Sequence, residues 1–317
     1  MLRVAGVEQQ QPIGGVEHHQ PHGAALEQRQ IAWQLHAGQR RQGPAPRFRT
    51  HRSADSPAGP GATPSGSGRM AAMSQLFGET AGTYHEARPG YPTELADAIR
   101  AHHGGPLGTL VEIGAGTGLA TAVLLGLGAT TTCVEPDARM ATVLAERFPG
   151  VRVVTASFEQ WPPPAGGVDV LACAMAWHWL DPATRNRRAH DALRPGGTLA
   201  VLSHRYAYVE AAQAEAIRAA FTSADPGDRG DRADGWFHDD IADSGCFTDL
   251  RLSRFRRSVP LDTAAYLRLV DTFSPQLRRP PELRERVRAA VGAAVDGFGG
   301  TVLLDLRTTL VLARRPG

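Results

Sequence analysis

The sequence contains no lysine, and all 34 of its basic residues are arginines. Its formal net charge is only +2, which gives no reason to expect a nucleic acid or an anionic membrane as partner. Long apolar runs are also missing, since no segment approaches the roughly 18 residues that a membrane span requires. No charged-then-apolar leader of the secretory type is present either. We therefore expect a cytoplasmic protein with no membrane or nucleic-acid partner.

Cysteine is scarce, and the three cysteines, Cys133, Cys173 and Cys246, are widely spaced. Free cysteine usually behaves as a small buried apolar residue, so we expect core thiols in a reducing compartment rather than a redox centre. The aspartates between positions 225 and 234 lie three apart and do not match a calcium-binding loop. The sequence therefore predicts no metal site.

The most informative stretch runs from Thr109 to Gly118 and reads TLVEIGAGTG. A short apolar run predicts a strand, and the apolar residues after Gly118 have helical spacing. Between them, glycine recurs at positions 114, 116 and 118. Glycine tolerates positive φ and allows a ligand to lie directly on the main chain. We therefore predict a ligand-binding turn between a strand and a helix.

A second predicted strand begins at Thr130 and ends in Glu135, twenty-one residues after Gly114. A carboxylate at the carboxyl end of that strand can accept hydrogen bonds from both hydroxyls of a ribose. Nicotinamide-dependent oxidoreductases and methyltransferases share these features, and a glycine motif alone is weak evidence. Both classes of enzyme remain open at this point.

The third and fourth predicted strands, at 151–156 and 168–173, are each followed by a distinctive loop. The first loop reads Ser157-Phe158-Glu159, and the second contains Trp177-His178-Trp179. Together with VEPD at 134–137, LRPGGTL at 193–199 and the upstream pattern Phe77…Tyr84…Arg88-Pro-Gly-Tyr-Pro92, the set resembles the class I S-adenosylmethionine-dependent methyltransferases. More narrowly, it looks like the small-molecule branch that includes trans-aconitate methyltransferase. The resemblance extends from about Phe77 to the end of the chain.

This resemblance implies an α/β fold, with a Rossmann-like, seven-stranded, mostly parallel sheet and an antiparallel edge strand. The methyltransferase domain would cover residues 73–317, with a small helical cap formed by about 205–240 and 260–298. Residues 1–72 contain nine glutamines and few large apolar side chains, so we predict a disordered extension. Met70 or Met73 would be the true start of translation, because the family-like sequence begins there.

The resemblance also implies S-adenosyl-L-methionine as the cofactor. Tyr84 and Arg88 would meet its carboxylate, for which a guanidinium is well shaped. Glu159 would read the adenine amino group, and Met140 would either lie against the adenine ring or belong to the core. The full predicted cofactor-binding set is Tyr84, Arg88, Glu112, Gly114, Ala115, Gly116, Thr117, Gly118, Glu135, Pro136, Met140, Ser157, Phe158, Glu159 and Ala174.

The acceptor site is predicted beside the loop that follows the fourth strand, because open parallel sheets bind ligands beyond the carboxyl ends of their strands. Tyr91, Trp177 and Trp179 are the predicted substrate-binding residues, and the tryptophans would keep this region dry. His178 is the predicted catalytic residue, as a general base or as a hydrogen-bonding group that orients the acceptor. The acceptor would be a small molecule that reacts through a carboxylate or another oxygen nucleophile.

Two alternatives to methyl transfer share the glycine turn and Glu135. A dinucleotide-dependent oxidoreductase would need a catalytic tyrosine-lysine or histidine-carboxylate set later in the chain, and this sequence has no lysine. A non-catalytic cofactor-binding protein would retain the fold and the cofactor site without turnover. Binding of S-adenosylmethionine compared with NADH separates the oxidoreductase from the other two classes.

Overall fold

The computed structural model describes residues 81–226 and 235–317. All of these belong to one compact unit, Gly61–Gly317. The predicted disordered extension 1–72, the proposed starts at Met70 and Met73, and Phe77 lie outside the described residues. Among the described helices, none is both long and apolar enough to cross a lipid bilayer.

A seven-stranded sheet forms the centre of the described chain, with strand order β3-β2-β1-β4-β5-β7-β6. Neighbouring strands from β3 to β5 are parallel, whereas β7 is antiparallel to both β5 and β6. This confirms the predicted Rossmann-like α/β fold. The strands are β1 (Thr109–Ile113), β2 (Thr130–Val134), β3 (Arg152–Val154), β4 (Val168–Ala174), β5 (Leu193–Tyr208), β6 (Thr248–Asp262) and β7 (Thr301–Arg314).

Helices connect the strands and cover the sheet. A 3-10 turn at Leu125–Leu127 extends the short helix that follows β1. The α-helices in the described residues are α1 (Ala81–Ala87), α2 (Glu94–His103), α3 (Thr121–Leu124), α4 (Ala138–Arg147), α5 (Arg185–Ala192), α6 (Ala211–Ala224), α7 (Trp236–Asp243), α8 (Thr263–Asp271), α9 (Ser274–Arg278) and α10 (Pro281–Gly297).

Alternating residues of β4 enter two different apolar clusters, one on each face of the sheet. Leu171 and Cys173 pack with residues of α5 and α7, whereas Val170 and Ala172 pack with residues of α2 and α3. Burial on both faces explains why β4 is a continuous apolar run apart from Asp169. Helices on both faces leave the carboxyl ends of the parallel strands as the edge where a ligand can enter.

A separate apolar cluster joins α6, α8 and α10 to the start of β7. Its members include Ile217, Tyr266, Val287, Val291 and Val302. Within the predicted cap segment 205–240, α6 contributes to this cluster. The beginning of that segment continues β5, and α7 packs into the main core through Phe237 and Ile241.

Candidate functional site

A cleft lies at the carboxyl ends of β1, β2 and β4 and consists of two adjoining cavities. The cavity that contains Glu135 is the larger of the two, and both are open to solvent. The cavities share six lining residues, which are Tyr84, Arg88, Gly114, Gly116, Ala174 and Met175. One elongated ligand could therefore occupy both.

The three glycines of the turn after β1 have different roles, although all three have positive φ. A Cβ atom on Gly116 would meet only the Met140 sulfur, at 3.9 Å, so a ligand can approach this part of the backbone. On Gly114 it would lie 2.4 Å from the Cβ of Ala176. On Gly118 it would lie 2.6 Å or less from side-chain atoms of Leu144 and Phe148. Gly118 is thus required for helix packing and lies outside the cavity lining, in contrast to its predicted role in binding.

Glu135 directly follows β2, lines the larger cavity and is only 5% exposed. Its two oxygens accept hydrogen bonds from the backbone N–H groups of Gly116 and Asp137, at 2.8 and 2.9 Å. Burial raises the pKa of Glu135 to about 7, against the lowering effect of these two bonds. A carboxylate has about four acceptor positions, so two remain for a ligand.

Glu112 lies on β1 beneath the smaller cavity and is 1% exposed. Its Oε2 accepts hydrogen bonds from the Thr121 hydroxyl at 2.5 Å and the Cys133 thiol at 3.8 Å. Its Oε1 is buried without a hydrogen-bond partner among the described residues. Burial raises the pKa of Glu112 to about 7. A buried carboxylate oxygen that has no hydrogen-bond partner is a strong acceptor for a ligand that carries a donor.

Arg88 lies between α1 and α2 and lines both cavities. Its Nε donates to the Thr272 hydroxyl at 3.1 Å, and its Nη2 donates to the Thr272 carbonyl at 3.0 Å. The guanidinium carbon lies 4.4 Å from the ring centroid of Tyr84 and 5.7 Å from that of Phe273. The Tyr206 hydroxyl is a further hydrogen-bond partner of Arg88. All of these partners are neutral, so Arg88 keeps a net positive charge at the cleft.

The structure brings most of the predicted site residues to this cleft. His178 and Trp179 line the larger cavity with Glu135, and Tyr91 lines the smaller one. From the predicted cofactor set, the lining residues are Tyr84, Arg88, Glu112, Gly114, Ala115, Gly116, Thr117, Glu135, Pro136, Met140 and Ala174.

Four further predicted residues do not line either cavity, because the loops after β3 and β4 direct them elsewhere. Phe158 is 2% exposed and belongs to the main core, where its ring lies 6.5 Å from that of Trp161. Trp177 is 3% exposed, and its indole Nε1 donates to the Asp240 carboxylate at 3.0 Å. The other two residues make hydrogen bonds to loop backbone instead. The Ser157 hydroxyl accepts one from the N–H of Gln160, and the Glu159 carboxylate accepts one from the N–H of Asp181.

Two lining residues that the sequence analysis missed lie on β5. This strand continues to Tyr208, well past the LRPGGTL motif at 193–199, and places His204 and Tyr206 beside the smaller cavity. The His204 ring stacks on Tyr91 with centroids 3.9 Å apart. Burial lowers the pKa of His204 to about 3, so its imidazole is neutral. The aromatic residues at every second position from 204 to 208 were the sequence signal for this extension.

Met175, Ala176 and Ser274 also line the larger cavity without having been predicted. Met175 has a φ of +56°, a left-handed conformation that is uncommon for a residue other than glycine. Its sulfur accepts a hydrogen bond from the backbone N–H of His204 at 3.0 Å. Such backbone strain is often found at functional sites. Ser274 comes from the start of α9, which no local pattern places near β4.

Comparison with known proteins supports the methyltransferase class. Residues 111–201 match the family model described as a methyltransferase domain. An uncharacterized methyltransferase from Mycobacterium tuberculosis is 34% identical over 130 residues, which cover 41% of this chain and 52% of the relative. One from Schizosaccharomyces pombe is 27% identical over 121 residues, or 38% of this chain and 48% of the relative. The chain thus spans about half the length of these curated relatives.

A solved structure of a candidate type II methyltransferase from Anaeromyxobacter dehalogenans has a similar fold, with a TM-score of 0.56 and 19% sequence identity. The match covers 72% of this chain and 97% of that one. Residues 111–201 therefore match a methyltransferase domain, and the fold of the described chain is similar to that of a solved methyltransferase.

Proposed function

We propose that this chain transfers a methyl group from S-adenosylmethionine to a small-molecule acceptor. The observation that carries the proposal is the distribution of charge along the cleft. The buried carboxylate of Glu135 and the accessible backbone of Gly116 line one cavity, and Glu112 lines the adjoining one. Arg88 lines both. This arrangement matches a ligand with a ribose and a zwitterionic amino-acid end.

The residues present fit that cofactor group by group. Glu135 would accept the ribose hydroxyls with the two acceptor positions that its backbone hydrogen bonds leave. Met140 and Pro136 would lie beside the adenine. At the amino-acid end, the unpartnered Oε1 of Glu112 suits an ammonium group, and the Arg88 guanidinium suits a carboxylate.

When bound, this cofactor supplies a methyl group that its sulfonium already activates. The protein therefore has to align the acceptor with the methyl and exclude water. His178 and Trp179 line the larger cavity with ring centroids 4.4 Å apart. We assign exclusion of water to Trp179 and orientation of the acceptor to His178.

A carboxylate or another oxygen nucleophile is the favoured acceptor group, as in the trans-aconitate-like branch. A carboxylate is already ionised at neutral pH and needs no base. A phenol would need one, and His178 would then take the proton. This part of the proposal depends on the position of His178 alone, so kinetics of a His178 variant test it directly.

Calorimetric titration of the full chain with S-adenosylmethionine, S-adenosylhomocysteine and NADH tests the cofactor assignment. We expect both sulfur compounds to bind and NADH not to bind; the reverse result would favour an oxidoreductase. A second assay follows transfer of a labelled methyl group to a panel of small carboxylates and phenols. Cofactor binding without transfer to any acceptor would favour the non-catalytic alternative.

A further inference from the structure

Arg88 connects two parts of the described chain that are far apart in sequence. It belongs to the segment before β1, whereas its hydrogen-bond partner Thr272 directly follows α8 and lies 184 positions later. Thr272 is 1% exposed and does not line either cavity. Any effect of Thr272 on a ligand in the cleft must therefore act through a neighbour.

The geometry of Thr272 is suited to holding a guanidinium in one orientation. Its hydroxyl donates to the carbonyl of Leu269 at 2.6 Å, which fixes the hydroxyl and leaves its lone pairs to accept the Nε–H of Arg88. Its own carbonyl accepts from Nη2 of the same group. Because the guanidinium is planar, two acceptors that bind two of its N–H groups determine its plane. The rings of Tyr84 and Phe273 restrict it further, and the Tyr206 hydroxyl is an additional hydrogen-bond partner.

We propose that Thr272 is a positioning residue, which orients Arg88 to bind the carboxylate of the methyl donor. The inference rests on the proposed function, because it takes Arg88 as the partner of that carboxylate. It adds that the α8–α9 junction takes part in cofactor binding without touching the cofactor. A guanidinium held in place before binding loses less side-chain entropy when the carboxylate arrives.

The test compares two ligands by calorimetry, S-adenosylmethionine and 5′-methylthioadenosine, which lacks the amino-acid end. Thr272→Val removes the acceptor for Nε and should weaken binding of S-adenosylmethionine by about three- to tenfold, because the freed Arg88 side chain must then be ordered when the ligand binds. Binding of methylthioadenosine should not change. Thr272→Ser keeps the hydroxyl and should restore affinity to within about twofold. As a control, Thr263→Val at the start of α8 removes a hydroxyl that donates to Asp296 of α10 and should have no effect.

A double-mutant cycle separates positioning from a merely structural role. In an Arg88→Met background, Thr272→Val should cause no further loss of affinity. Additive losses, or equal losses for both ligands, would overturn the inference, as would normal binding of S-adenosylmethionine by the valine variant. If that variant does not fold, Thr272→Ala takes its place. Failure of the unaltered protein to bind S-adenosylmethionine would instead contradict the proposed function.

Discussion

Replacing Glu135 with alanine tests the cofactor site most directly. Each of its oxygens already accepts one backbone N–H, from Gly116 or Asp137, so the carboxylate is fixed before any ligand binds. Its remaining acceptor positions match the two hydroxyls of one ribose. Loss of hydrogen bonds to a charged group costs about 1.5–3 kcal/mol. We therefore expect the Kd for S-adenosylmethionine to rise by roughly 10- to 150-fold.

The assay is isothermal titration, with thermal unfolding measured on the same samples. The unfolding measurement checks that the variant is folded, because Glu135→Ala also removes the acceptor of two backbone N–H groups. Water in the cleft can replace that acceptor. Glu146→Ala, on the exposed face of α4, is the matched control and should bind as the parent does. If Glu135→Ala folds and binds S-adenosylmethionine with parental affinity, the ribose assignment is wrong.

Three further variants test other parts of the site. Gly116→Val should abolish detectable binding of S-adenosylmethionine, because a φ of +58° disfavours a branched residue and the side chain would enter the cavity. Binding with parental affinity in the same titration would refute this. His178→Ala should raise the KM for the acceptor by about 10- to 150-fold with little change in kcat if the residue orients the acceptor. A fall in kcat of about 10²–10⁴ would instead show base chemistry. Burial raises the pKa of Glu112 from the usual 4.5 to about 7. The contribution of this group to the free energy of unfolding is therefore fully present below about pH 4.5 and is lost as the pH rises through 7. Relative to Glu112→Gln, the free protein should therefore lose roughly 2–4 kcal/mol between pH 4.5 and pH 8 in denaturant titrations, and parallel curves would contradict the argument.

Local sequence determined the central strands, the turn after β1 and the place of Glu135. These follow from short-range rules: an apolar run predicts a strand, glycine permits positive φ, and a residue at the end of a parallel strand lies at the ligand-binding edge. For the same reason His178 and Trp179, which follow β4, line the larger cavity. Tyr91, which lines the smaller one, was expected from the pattern before β1.

Only the tertiary structure decided which members of each motif face the cleft. Gly116 and Gly118 look alike in sequence, but Gly118 lies against Leu144 and Phe148, which come from a different element. Trp177 and Trp179 flank the same histidine, but Trp177 is buried in the main core and its indole donates to the Asp240 carboxylate on α7. These contacts join residues about 26 to 63 positions apart, and no local pattern specifies them.

The hydrogen bonds between Arg88 and Thr272 are the clearest example of contacts that no local sequence pattern specifies. The sequence singled out the arginine, because its charge and its flanking tyrosines are local features. Its partner is one threonine among many, 184 positions later, and carries no signal of its own. Its role arises only because α8 packs against α1. Short-range chemistry therefore predicted the charged groups of the cleft, whereas the packing of distant elements fixed their orientation.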